Sequence, residues 1–118
     1  MVKKKKIAFG RLDLMRNDEL KGRPKIKIGF VGGGDNNTKG LALRIAARMD
    51  MRYNLCSGVF SSNPSKSKRI AKKLGIKDDR AYSDFSEMAK KEKLRKDGIS
   101  VVSIMTPPSS HFKIAKEF

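Results

Sequence analysis

Ile26-Lys-Ile-Gly-Phe-Val-Gly-Gly-Gly-Asp-Asn-Asn-Thr-Lys-Gly40 runs a short apolar strand into a glycine cluster that opens an amphipathic helix. Glycines let the main chain turn sharply or come close to a ligand, and the free amides in the first turn of the following helix are placed to hold a pyrophosphate. Gly32, Gly33 and Gly34 begin such a turn, but position 37 is Asn37 and the next glycine is Gly40, three residues later than the simple G-x-G-x-x-G spacing. Asp35, Asn36 and Asn37 tolerate left-handed backbone and offer caps to the helix, so the longer turn still serves. The competing reading is an ordinary glycine-rich turn with no ligand.

On the amino side, Ile26, Ile28, Phe30 and Val31 supply the first strand. On the carboxyl side, Leu41, Ala42, Ile45, Ala46 and Met49 recur at helical spacing, which predicts a helix over about 38–49 with that stripe on a sheet and Arg44 and Arg48 facing out. Tyr53 to Phe60 reads as a second strand. Asn63-Pro64 then signals a helix start, Ile70, Ala71 and Leu74 give that helix an apolar face, and Gly75 closes it. Ala81-Tyr82-Ser83 is a short third strand, and Asp84 with Glu87 fits a capping box for a helix carrying Phe85, Met88, Ala89 and Leu94. Ile99 to Met105 is nearly continuous apolar, as expected of a strand covered on both faces, and a last helix begins near Ser109. Such alternation predicts an α/β fold, a Rossmann-type parallel sheet in the order 3-2-1-4 with helices on both faces. Ile114 to Phe118 stops inside a helical pattern, so the expectation is a fold incomplete at its carboxyl end. Residues 1–24 are expected to be a basic extension and 25–118 the amino-terminal part of a dinucleotide-binding domain.

The strand ends carry the candidate chemistry. An NAD site places a carboxylate about 20 residues beyond the glycines, where it binds the adenosine ribose. Counting from Gly40 reaches Ser61, followed by Ser62, and no carboxylate stands there. Serine hydroxyls can donate to a 2′-phosphate and Lys66, with Lys68 or Arg69 behind it, can neutralise one, so NADP stays open beside NAD. The alternative is that both serines are merely polar strand-end residues. The final strand leads into Thr106-Pro107-Pro108-Ser109-Ser110-His111, a loop delivered to the point where the sheet's topology opens a crevice. Thr106 and the backbone at Pro107 are candidates for the nicotinamide end. His111 is the only histidine, and a solvated or capping role competes with any part in the site.

Bulk composition narrows the classes. At 118 residues the chain has room for one core and not for a cofactor domain plus a substrate domain. Lys and Arg number 28 against 12 acidic residues, a net charge of +16 that favours anionic partners. These cations are spread along the length, with Lys3 to Lys6 the one tight block, so a role in nucleic-acid binding is disfavoured and solvated helix faces explain them better. The single cysteine, Cys56, has no internal partner and sits in a strand-like run, which suits a buried apolar role in a reducing, cytoplasmic compartment. Ile7 to Phe9 is too short for a signal sequence, and no segment approaches the ~20 apolar residues of a membrane span. No metal ligand set is assigned.

Taken together, Gly32-Gly33-Gly34 with Gly40, Val59-Phe-Ser-Ser-Asn-Pro64, Tyr82-Ser-Asp84, Asp97-Gly98-Ile99, Val102 to Pro107 and His111 resemble the amino-terminal domain of the glucose-fructose oxidoreductase and inositol dehydrogenase family, Gfo/Idh/MocA. The resemblance covers about Ile26 to Phe118. It implies an NAD(P)-dependent oxidoreductase acting on sugars, polyols or related compounds, with Gly32, Gly33, Gly34, Asp35, Asn36, Asn37 and Gly40 at the pyrophosphate. Ser61, Ser62 and Lys66 would then serve the adenosine ribose, and Thr106, Pro107 and His111 the nicotinamide side. Two departures stand out: Leu43 where relatives often carry a histidine, and Pro108 where they carry Asn after Thr-Pro. The family's Glu-Lys-Pro motif and substrate domain would fall beyond Phe118, so no catalytic residue is named, and this chain alone is expected to be inactive. The other readings kept are a non-catalytic nucleotide-binding or regulatory module and a basic nucleic-acid-binding protein. Oligomer formation by a longer protein is left open.

Overall fold

The computed structural model describes residues 26–34, 38–49 and 52–118. The basic extension and Asp35, Asn36 and Asn37 lie outside the described residues. In chain order the elements are β1 (Ile26–Gly32), α1 (Thr38–Met49), β2 (Tyr53–Val59), α2 (Pro64–Lys73), α3 (Phe85–Leu94), β3 (Val101–Met105) and α4 (His111–Glu117), with 3-10 turns at Asp78–Arg80 and Pro108–Ser110. The sheet is parallel in the order β2-β1-β3. The chain therefore leaves β1 toward one side and returns on the other, which creates a switch point at β1's carboxyl end.

The expected third strand, Ala81 to Ser83, is reduced to a single parallel bridge, Gly58 to Ala81, with the Tyr82 amide donating to the Gly58 carbonyl at 3.0 Å. It lies on β2's outer flank, where the order 3-2-1-4 put it. The turn Asp78–Arg80 and the helix cap Asp84 bracket Ala81 to Ser83 too closely for a ladder to grow.

Local signals set the helix ends. The Asn63 side chain accepts from the Lys66 amide at 3.1 Å, with Pro64 opening α2. At the far end the Ile76 amide donates to the Ala71 carbonyl and Gly75 to that of Lys72, the paired bonds of a Schellman motif. Ile70, Ala71, Leu74 and Ile76 thereby join Ile28, Phe30, Leu55 and Phe60 in the core on one face of the sheet. Val31, Val59, Tyr82, Met88 and Ile114 form the core on the other face, under α3 and α4. Burying each large apolar side chain contributes roughly 1.5–3 kcal/mol. Cys56 is the extra residue where β2 bulges against Ile28 and Gly29, and it is buried there.

Helix α1 corrects the expected orientation. Arg44 and Arg48 are 7% and 1% exposed, while Leu41, Leu43 and Met49 stand 40–60% exposed. The cause is the contact between Gly40 and Gly33, so close that a Cβ on Gly40 would overlap the Gly33 main chain. With Gly40 turned inward, residues one and two turns later face the same way. The Arg44 guanidinium then donates to the Gly33 carbonyl. Helix α1 stands off the rest of the sheet, leaving a cavity of about 210 Å³ between Leu43, Ala46, Ala47 and Phe30, Tyr53, Ser103. Strand β3 is accordingly half-buried rather than covered on both faces, since Val102 and Ile104 pack under α3 and α4 while its other face borders that gap.

Candidate functional site

The turn after β1 is built from close main-chain packing. Gly32 and Gly33 hold φ of 91° and 73°, left-handed values that side chains rarely adopt. A Cβ on Gly32 would lie 2.6 Å from the Met105 carbonyl oxygen, and one on Gly34 2.5 Å from that of Phe60. The glycines thus bring β1, the exit of β2 and the end of β3 together without intervening side chains. Gly33 and Gly40 are buried in this packing, while Gly32 and Gly34 stay half-buried ahead of the helix, where a phosphate group would meet main chain.

Beside this turn lies a cleft of about 410 Å³ at the carboxyl ends of all three strands. Val31, Val59 and Ile114 form its floor, and Ser61, Ser62, Ser83, Asp84, Thr106 and Pro107 line its walls. Of the residues expected from the sequence, Gly32, Ser61, Ser62, Thr106 and Pro107 are brought together here. Gly33, Gly34 and Gly40 pack behind the cleft's edge. Lys66 is exposed in the first turn of α2, outside the cleft lining, and so is His111.

The loop after β3 is held by its own hydrogen bonds. Ser110 Oγ donates to the Pro107 carbonyl at 2.8 Å and pairs with the Thr106 hydroxyl at 2.6 Å. His111 Nε2 lies 2.7 Å from the Thr106 carbonyl oxygen, an acceptor, so this nitrogen carries the proton. The histidine therefore orders the loop instead of facing the cleft.

Ser83, Asp84, Phe85, Ser110 and Ile114 line the cleft without having been marked in the sequence. Ser67 was missed as well. It is 1% exposed, its hydroxyl accepting from the Phe60 amide at 2.8 Å and donating to the Tyr82 carbonyl at 3.3 Å. Its signal was the spacing Ser67, Ile70, Ala71, Leu74, one face of a helix. Farther along, Glu92 fixes the other end of the same segment. Arg80 Nε donates to it at 3.0 Å, Tyr82 Oη at 2.8 Å and the Ile99 amide at 3.2 Å. Burial and that bond to Glu92 push the Tyr82 phenol well above its ordinary range, and burial likewise raises the Cys56 thiol.

The model of the Gfo/Idh/MocA oxidoreductase family, with its NAD-binding Rossmann fold, matches residues 26–118. The chain belongs to this family. It is 34% identical over 104 residues to the uncharacterized oxidoreductase YfiI of Bacillus subtilis (strain 168), across 87% of this chain and 26% of that protein. An oxidoreductase of known structure from Sinorhizobium meliloti is 45% identical with a TM-score of 0.76, covering 81% of this chain and 26% of its own. An inositol dehydrogenase homologue from Azotobacter vinelandii, complexed with NADH and myo-inositol, is 31% identical with a TM-score of 0.73, over 86% of this chain and 27% of that one. The chain thus spans about a quarter of the length of these Gfo/Idh/MocA relatives. No helix among the described residues is long and apolar enough to cross a membrane.

Proposed function

We propose that this chain holds NAD(H) across the carboxyl ends of its strands. In an enzyme of the relatives' length, the domain would serve hydride exchange with a carbinol carbon of a polyol or sugar. The observation that carries this is the cleft at the switch point, bordered by Gly32 where the glycine turn begins, by the β2 exit and by the Thr106-Pro107 loop. The glycine turn fits a pyrophosphate because its main chain is bare, and Gly32, Gly33, Gly34 and Gly40, with the intervening Asp35, Asn36 and Asn37, are assigned to it. Ser61 and Ser62 are assigned to the adenosine ribose. Thr106 and Pro107 are assigned to the nicotinamide side, their loop kept in shape by Ser110 and His111. Bound nicotinamide supplies the site that takes up or returns hydride.

This chain's residues bind and orient; they exclude water through the apolar floor of Val31, Val59 and Ile114. Substrate handling and proton transfer are assigned to the remaining three quarters of the relatives' length. A polyol substrate is favoured by the myo-inositol bound in the Azotobacter homologue. The net charge of +16 is assigned to solvated faces, such as the exposed Lys66, Lys68, Lys72 and Lys73 along α2, and the protein to the cytoplasm.

Isothermal titration of the 118-residue chain with NAD+ and NADH tests the cofactor assignment. Saturable binding, competed by ADP, is expected. Binding of neither form, by a chain whose circular dichroism reports a folded α/β domain, refutes it.

A further inference from the structure

We propose that Asp84 is the carboxylate that receives the adenosine ribose hydroxyls, so that the cleft selects NAD(H) against its 2′-phosphorylated form. The inference rests on the cofactor cleft described above and adds a specificity residue to it. In the sequence the end of β2 offers only Ser61 and Ser62 where a carboxylate is expected. In the fold a residue that carries a carboxylate lines the same cleft from another segment, since Ser83 and Asp84 border it together with both serines.

Three bonds enforce this. The Tyr82 amide donates to the Gly58 carbonyl at 3.0 Å, and the buried Ser67 hydroxyl ties the Phe60 amide to the Tyr82 carbonyl. Ser61 follows Phe60 and Ser83 follows Tyr82, so the two chain segments leave the sheet side by side. Asp84 is then steadied by its duty as cap of α3, with Oδ2 accepting from the Glu87 amide at 3.2 Å. A carboxylate has about four acceptor sites, so most of its capacity is left for hydroxyl donors. Ribose with both hydroxyls free matches an acceptor-only group. A 2′-phosphate brings like charge against it, and the cations that would offset this, Lys66 and Lys68, are not among the residues lining the cleft.

Asp84→Asn isolates the charge, because Asn caps a helix as well as Asp does. Wild-type and variant chains are titrated with NAD+ and NADP+ by calorimetry, with circular dichroism as the check on fold. The wild type is expected to favour NAD+ by about tenfold or more, and Asp84→Asn to narrow that ratio by a similar factor, in line with loss of a charged hydrogen bond. Asp84→Ser, also a good cap, is expected to behave as Asn does. A ratio unchanged in both variants while NAD+ still binds overturns the assignment, and so does a wild type that binds NADP+ as tightly as NAD+. A wild type that binds neither dinucleotide overturns the cofactor reading itself, and this assignment with it.

Discussion

Gly40→Ala puts the packing of the glycine turn to a test in which two ordinary expectations have opposite signs. Inside a helix, Ala is favoured over Gly by about 1 kcal/mol. Here, however, an ideal Cβ would lie 2.6 Å from both the carbonyl carbon and the α-carbon of Gly33, and closer still to the Gly33 oxygen. Those are main-chain atoms, which cannot swing aside as a side-chain tip does. Overpacking costs of up to about 3 kcal/mol therefore apply, and the net change is a loss of about 2 kcal/mol. The same displacement pulls the Gly33 carbonyl from the Arg44 guanidinium. For a domain of this size the melting temperature should fall by roughly 8 °C or more. Cofactor affinity should fall too, by about tenfold, because the amides assigned to the pyrophosphate shift with α1. Thermal melts followed by circular dichroism measure the first effect and calorimetric titration with NAD+ the second. Ala42→Gly, on the exposed side of the same helix, serves as the reference and should cost about 1 kcal/mol with no change in binding. A Gly40→Ala chain as stable as wild type, with the same affinity for NAD+, would refute the close packing of Gly33 on Gly40.

Three further outcomes are expected. Glu92→Leu removes the acceptor shared by the Tyr82 hydroxyl and the Ile99 amide and leaves the buried Arg80 with Asp97 alone, so it should cost about 3 kcal/mol in urea denaturation, whereas Arg80→Met combined with Glu92→Leu recovers part of that loss. Ser67→Ala orphans the Phe60 amide and the Tyr82 carbonyl at about 1–3 kcal/mol each, read as a lower urea midpoint, and weakens NAD+ binding as the two loops part. The Tyr82 phenol, raised by burial and by its bond to Glu92, keeps its proton in the folded chain beyond the point where the unfolded chain releases it. Its contribution is thus intact below pH about 10 and is lost as pH climbs from there toward the folded value, so urea midpoints that fall above pH about 10 in wild type should fall less in Tyr82→Phe.

Much of the fold was legible in the sequence because its signals are local. The Asn63-Pro64 start, the Gly75 stop and the Asp84 cap each depend on hydrogen bonds spanning a few residues, and each appears where the residue types place it. The glycine turn was legible for the same reason. Its spacing announces a strand-to-helix turn whatever lies around it. Coverage of β3 was not legible, since an apolar run of this length states that a strand can be buried, while the helices opposite it decide whether it is.

By itself, then, the sequence determined the order of elements, the parallel sheet with β1 at its switch point, and the family. The first two follow from periodicity and short-range hydrogen bonding, and the family from the resemblance of its joint motifs. Tertiary structure alone decided that Arg44 and Arg48 turn inward, because the rotation of α1 is set by a glycine-on-glycine contact rather than by its apolar stripe. It alone brought Asp84 to the cleft of Ser61 and Ser62, through bonds from Tyr82 to Gly58 and to Ser67 that join residues 15 or more positions apart. Pairings of that range depend on how helices pack against the sheet, and one-dimensional spacing carries no record of it.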